Sequence, residues 1–409
     1  MSIAIPAIDP GLEALEAGDP AGFIRRAFEG VDLAPLIQAR LDALGAGQGE
    51  APELLELGLL FQLAGEREKA LLCQTAALAA CRLYRHPAPG APALRLLALV
   101  TAGDLMTNTP FELMVEGRPV AVSKLYLDAD QPWPETVPDH DLAIMAVSES
   151  DEAAPLLEQL KAIEGRWPRP IVNAASKVLA LGRDRLPALL KGAAEVTMPP
   201  TARVPRAGLE AVADGGEIAA VLEDGGLPII IRPVGSHAGK ALERIEHRAG
   251  LAAYLAQAPD AVFYVSRFID YASADGLFRK YRIALFGGRP FLCHMAISGH
   301  WMVHYLNAGM AESAEKRAEE AEAMAGFDHG FALRHAAGLK SLTERIGLDY
   351  FAIDCAEARD GSLLIFEADV AMIVHDLDPA ELYPYKKPQM RKVFDAFEAF
   401  LTAAAAASR

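Results

Sequence analysis

Cysteine is scarce in this chain. Its four cysteines (Cys73, Cys81, Cys293 and Cys355) are scattered over 409 residues, with no CxxC pair and no histidine at zinc-ligand spacing. That excludes a disulfide scaffold and a zinc ribbon, and it fits reduced residues of a cytoplasmic protein. Runs of lysine and arginine are also missing, and the formal net charge is −16. Nucleic acid is therefore not expected as a partner of the chain as a whole, although a local basic pocket stays open. No apolar stretch reaches membrane-spanning length before a charge or proline interrupts it, so no membrane partner is expected. Residues 1–10 lack a basic segment followed by an apolar core, so a secretory signal is not expected either.

What is present is the composition of a globular protein, with 52% hydrophobic and 23% charged residues in a length that suits two or three domains. Residues 10 to about 100 carry helical periodicity. Leu54, Leu57, Gly58, Phe61 and Leu63, then Ala70, Leu71, Cys73, Ala76, Ala77 and Ala80, mark an antiparallel helix pair around a Gly65-Glu66 turn. This pair reads either as one tetratricopeptide-like repeat or as an ordinary helical hairpin packed on the next domain. After a proline-rich linker, Pro87 to Pro92, the pattern changes. Phe111–Val115 and Val120–Leu127 read as strands, Leu142–Val147 as a buried parallel strand, Ala154–Gly165 as a helix and Pro170–Asn173 as another short strand. The expected fold is thus α/β with an N-terminal all-helical domain: helical over 1–103, α/β over 104–185, and a further α+β unit over 186–409. Ligands of such sheets bind at the carboxyl ends of strands, which makes Ser148, Glu149 and Asn173 candidate contacts, with helix capping as the other role for Ser148.

Two stretches carry chemistry. Tyr350–Ile353 and Leu363–Phe366 read as the strands of a hairpin that brings Asp354, Glu367 and Asp369 to one place. Carboxylates gathered in an apolar setting repel one another, and Mg²⁺ is the natural partner unless the acids merely lie on a solvated face. The other stretch is the β-branched run Ile229–Ile231 ending in Arg232, followed by Gly235, Ser236, Gly239 and Lys240. Glycines let backbone N–H groups approach an anion, and arginine forks onto phosphate oxygens.

The order of these segments resembles the ATP-grasp superfamily, in particular the glutathione synthetase and RimK-type ligases, over about residues 105 to 400. The ordered set is Asn173, Gly182–Leu186, the 227–239 strand and loop, Phe263–Ile269, Lys280–Pro290, His304–Gly309, Asp354 and Glu367–Asp369. The resemblance implies ATP held between two α+β subdomains. Arg185 and Arg232 would contact its α- and β-phosphates, the 233–240 loop would close over them, and Ser266, Phe268 and Ile269 would line the adenine slot. Arg282 would steady the γ-phosphate or an acyl phosphate, and Asp354, Glu367 and Asp369 would hold Mg²⁺. Beside the resemblance, His304 reads either as a group that orients an acyl phosphate or takes a proton from the amine, or as a structural histidine, and with Asn307 it completes the catalytic candidates. The implied reaction joins a carboxylate of an amino acid, small peptide or protein to an amine.

The departures from that pattern are specific. Both nucleotide cations are Arg where Lys is usual, Arg267 and Lys280 stand where acids are usual, and Asp369 replaces an Asn. These changes leave a second reading open: a nucleotide-sensing or scaffold module whose helical domain binds a protein or peptide partner. The acidic segment Glu312–Glu322 reads either as a solvated face or as the rim of the site mouth. A homo-oligomer is compatible with all of these readings.

Overall fold

The computed structural model describes residues 3–47, 51–86, 88–223, 225–236 and 239–407. Pro87, the start of the expected linker, and His237 and Ala238, inside the expected phosphate loop, lie outside the described residues. Helices fill residues 20–80: Pro20–Phe28, Ala34–Gly45, Ala51–Leu63 and Arg67–Ala80. Proline at the first turn starts Pro20–Phe28, and Arg25 and Arg26 in its last turn complement the helix dipole. The expected helix pair exists, and its crossing is tight because Gly58 is there. A Cβ on Gly58 would lie 3.2 Å from the Ala70 carbonyl oxygen.

The region is nevertheless not an all-helical domain, which corrects the boundary at 103. Leu15–Glu16, Leu83–His86 and Leu94–Val100 are strands of one six-stranded sheet that continues through Val120–Tyr126, Leu142–Met145 and Ile171–Val172. Leu94–Val100 lies at its centre, parallel to both Val120–Tyr126 and Leu142–Met145. Six of its seven residues are buried. The helices are tied to this sheet, since the Gln62 and Gln74 amides donate to the Gly103 carbonyl at 2.9 and 3.1 Å. That anchorage favours the helical hairpin packed on its neighbour. A second expectation also changes: Phe111–Val115 is not a strand but leads into the short helix Glu112–Val115, between Pro110 and Gly117. A five-residue apolar run satisfies either geometry.

The rest of the chain builds two further sheets, antiparallel except where Val196–Thr197 pairs parallel to Leu363–Asp369. One is a four-stranded sheet ordered Thr201–Pro205, Val262–Arg267, Ile229–Pro233, Glu243–Ile245, with its own core around Leu209, Ile231, Leu251 and Phe263. The other is five-stranded, ordered Arg289–Ser298, Phe278–Phe286, Tyr350–Glu357, Leu363–Asp369, Val196–Thr197. The predicted hairpin is its centre. Its turn is closed by Asp360, whose carboxylate accepts from the Ser362 N–H at 3.0 Å and hydroxyl at 2.7 Å. One continuous core joins this sheet to the six-stranded one, from Leu97 and Ile144 to Ile283, Ile353 and Phe397.

Asn173 locks the two sheets together. Its side-chain oxygen accepts from the N–H groups of Asp349 (3.1 Å) and Tyr350 (2.8 Å), and its own N–H donates to the Asp349 carboxylate at 2.9 Å. It is fully buried and left-handed, at φ 62°. It is therefore a structural clamp. Asn173→Ala is expected to lower unfolding free energy by roughly 2–4 kcal/mol, because two N–H groups lose their acceptor. Urea denaturation measures this, and a loss under about 1 kcal/mol would show that the clamp carries little.

Candidate active site

The register of the five-stranded sheet brings chemistry together. Arg282 lies opposite Asp354, and Asp354 lies opposite Glu367, so three charged side chains run across three adjacent strands. Arg282 Nε donates to Asp354 Oδ1 at 2.8 Å and its Nη2 to Oδ2 at 3.1 Å, while Lys280 Nζ reaches the same Oδ2 at 2.8 Å. Arg282 also donates from Nη1 to the Ile373 carbonyl at 3.3 Å. Burial pulls the Asp354 carboxyl upward, but these two cations outweigh it and hold the group well below the usual range. Glu367 is half-buried, and Arg183, with which it pairs, holds it below its ordinary value.

Arg232 faces this group from the four-stranded sheet. It is 8% exposed and forms no ion pair among the described residues. Its guanidinium donates instead to the hydroxyl oxygen of Ser236 at 2.9 Å and to the Ser236 carbonyl. Burial, and then the Arg183 charge, push Arg232 down to about 10. A buried arginine with no acid partner beside a second arginine is a place where an anion would be stabilised. In the loop after it, Gly235 and Gly239 are left-handed, at φ 75° and 73°. Lys240, which follows, is exposed.

The expected metal triad is not assembled. Among the described residues no three His, Cys, Asp or Glu side chains form a group that could hold a metal ion. Asp354 and Glu367 are held by Lys280, Arg282 and Arg183. Asp369 accepts from the Ser148 hydroxyl at 2.8 Å and from the Ala371 N–H at 3.0 Å, and burial raises it above its ordinary value. A divalent cation arriving alone would have to displace arginine and lysine from both acids. One arriving with a polyphosphate meets a different balance, because phosphate oxygens compete for those same cations and two carboxylates suffice for Mg²⁺ beside phosphate. The donor set fits the ion only in that company.

Other candidates scatter. Arg185 is engaged by Glu149. His304 is half-buried, and burial, then Lys280 and Arg282, lower its pKa; its Nδ1 is enclosed without a partner. Asn307 is exposed on the short turn Tyr305–Asn307 and does not join the cluster. Ser266 lies in the middle of the four-stranded sheet, opposite both Thr201 and Ile230. Phe268 is buried against Trp301, with Arg244 stacked 3.9 Å above its ring, so that face is not open to a base, and Ile269 is half-buried. Sequence reasoning missed Arg183. Its only signal was a second arginine two residues before Arg185.

No protein-family model matches the chain, and no curated protein matches it. Solved structures do resemble it. A RimK-domain ATP-grasp protein of Sphaerobacter thermophilus is 16% identical, with 75% of this chain and 99% of that one covered at a TM-score of 0.41. The D-alanine–D-alanine ligase of Bacillus anthracis is 12% identical, with 76% and 98% covered at 0.45. A D-Ala:D-Ser ligase of Enterococcus faecalis is 13% identical, with 75% and 99% covered at 0.46. At this identity and these TM-scores the likeness says nothing of chemistry, and what the chain can do rests on its own side chains.

Proposed function

We propose that the chain is an ATP- and Mg²⁺-dependent carboxylate–amine ligase, with an amino acid, small peptide or protein as its carboxylate substrate. The observation that carries this reading is Arg232: buried, without an ion pair among the described residues, and facing Arg183 and Glu367. Arg232, Arg183 and the 235–239 loop bind the phosphates, with Arg185 and Lys240 at the edge. Asp354 and Glu367, with Asp369 behind them, would hold Mg²⁺, which supplies charge neutralisation on the transferring phosphoryl group when bound. Arg282 steadies the γ-phosphoryl as it passes to the carboxylate, giving ADP and an acyl phosphate. The amine nitrogen then attacks the acyl carbon, phosphate leaves, and neutral His304 takes the proton shed by the amine.

Calorimetric titration of ATP tests the phosphate site. Binding is expected with Mg²⁺ and, in Arg232→Met, about 10- to 100-fold weaker, the worth of a hydrogen bond to a charged group. Equal affinity in the variant would overturn the assignment. A second reading, nucleotide sensing without turnover, is favoured by the cations already seated on Asp354 and Glu367. ADP release with a panel of amino acids and peptides separates the two, since a sensor binds ATP and releases none.

A further inference from the structure

A cavity of about 100 Å³ lies between the N-terminal helices and the six-stranded sheet, lined by residues such as Phe23, Ile24, Glu112, Lys124, His86 and Tyr126. It shares no lining residue with the cationic cluster. It opens at the carboxyl end of Leu94–Val100, where Val100 and Gly103 contribute to its wall, and this edge of a parallel sheet is where such folds place ligands. The helices make its other wall, through Pro20–Phe28 and Ala51–Leu63.

The polar groups of this wall are of both signs. Lys124 pairs with Glu112, and each side chain is only 13–14% exposed. One hydrogen bond joins them, so a three-donor ammonium and a two-oxygen carboxylate keep capacity for a ligand. A buried ion pair by itself adds little stability. Burial lowers His86 to about 4, which keeps its ring neutral. Its Nδ1 stands 2.9 Å from the Gly18 carbonyl and must therefore donate there, which leaves Nε2 as an acceptor. The other two acids of the wall are engaged elsewhere, Glu56 by Arg40 and the Gly18 N–H and Asp104 by the Met106 N–H and the Thr107 hydroxyl, so the cation, the anion and the neutral acceptor that keep free capacity match a molecule that carries a carboxylate and an ammonium together. The volume sets its size: an apolar cavity of about 150 Å³ holds benzene, so this one suits a handful of heavy atoms and excludes a nucleotide.

We propose that this cavity is a second ligand site, separate from the phosphate site, for a small zwitterion of glycine or alanine size. Its carboxylate takes Lys124, and its ammonium takes Glu112 and His86 Nε2. The test is calorimetry and thermal shift with glycine, L-alanine, D-alanine and β-alanine, with acetate and ethylamine as singly charged controls. At least one zwitterion should bind and the controls should not. Ile24→Trp, which fills the cavity and leaves the ion pair in place, should weaken binding at least about tenfold. Lys124→Met/Glu112→Leu, which removes both charges and so strands neither, should do the same. ATP affinity should be unchanged in both variants, which separates this proposal from the ligase reading and reports that the fold is intact. No binding by any zwitterion, or undiminished binding in the two variants, would overturn the site.

Discussion

Arg282→Met is expected to lower ADP release about 100- to 1,000-fold, the usual effect of removing one preorganised donor from a developing charge. ATP affinity should change little. The guanidinium is held at three points, two on Asp354 and one on the Ile373 carbonyl, so its position is fixed before any substrate arrives. Such preorganisation acts on charge that develops during transfer, and it therefore appears in kcat more than in binding. Arg282→Lys keeps the charge but loses the fork, and should fall between wild type and Met. Folding is guarded because Lys280 still neutralises Asp354. Equal turnover in wild type and Arg282→Met would remove this residue from the chemistry.

The hairpin that carries Asp354 and Glu367 was legible because two apolar runs flank a polar turn with Gly361 at φ 83°, and local rules decide such a segment. Leu94–Val100 was not, since Leu-Arg-Leu-Leu-Ala-Leu-Val has little β-branching and becomes a strand only through parallel neighbours on both sides. The acidic residues show a further limit. Their positions followed from the sequence, but their partners did not, because Arg183, Lys280 and Ser148 reach them from distant segments. Seen alone, three carboxylates ask for a metal; seen with those partners, two of them belong to ion pairs that an incoming polyphosphate would have to exchange.

The acidic helix shows the same limit on a larger scale, and it leads to the largest expected stability effect. Ala314–Ala325 carries a solvated acidic face, as its composition suggested, but Glu320 on it is fully buried. Lys386, at the start of the last helix Lys386–Ala406 and 1% exposed, donates to Glu320 at 2.9 Å, to Asp378 at 3.3 Å and to the Tyr305 hydroxyl at 2.5 Å. Glu320 also accepts from the Tyr385 hydroxyl at 2.7 Å and the Met295 N–H at 3.0 Å. One ammonium thus fastens two helices and the Arg289–Ser298 strand. Lys386→Met is expected to cost about 3–5 kcal/mol, because it leaves two carboxylates buried without a cation. Lys386→Met/Glu320→Gln should recover part of the loss, since the amide keeps an acceptor for Tyr385 and Met295 and carries no charge. Guanidinium denaturation of both variants measures the effect. A single variant within about 1 kcal/mol of wild type would mean that water reaches this network, and the last helix would then be held by its apolar face, Met390, Val393, Phe397 and Leu401, alone.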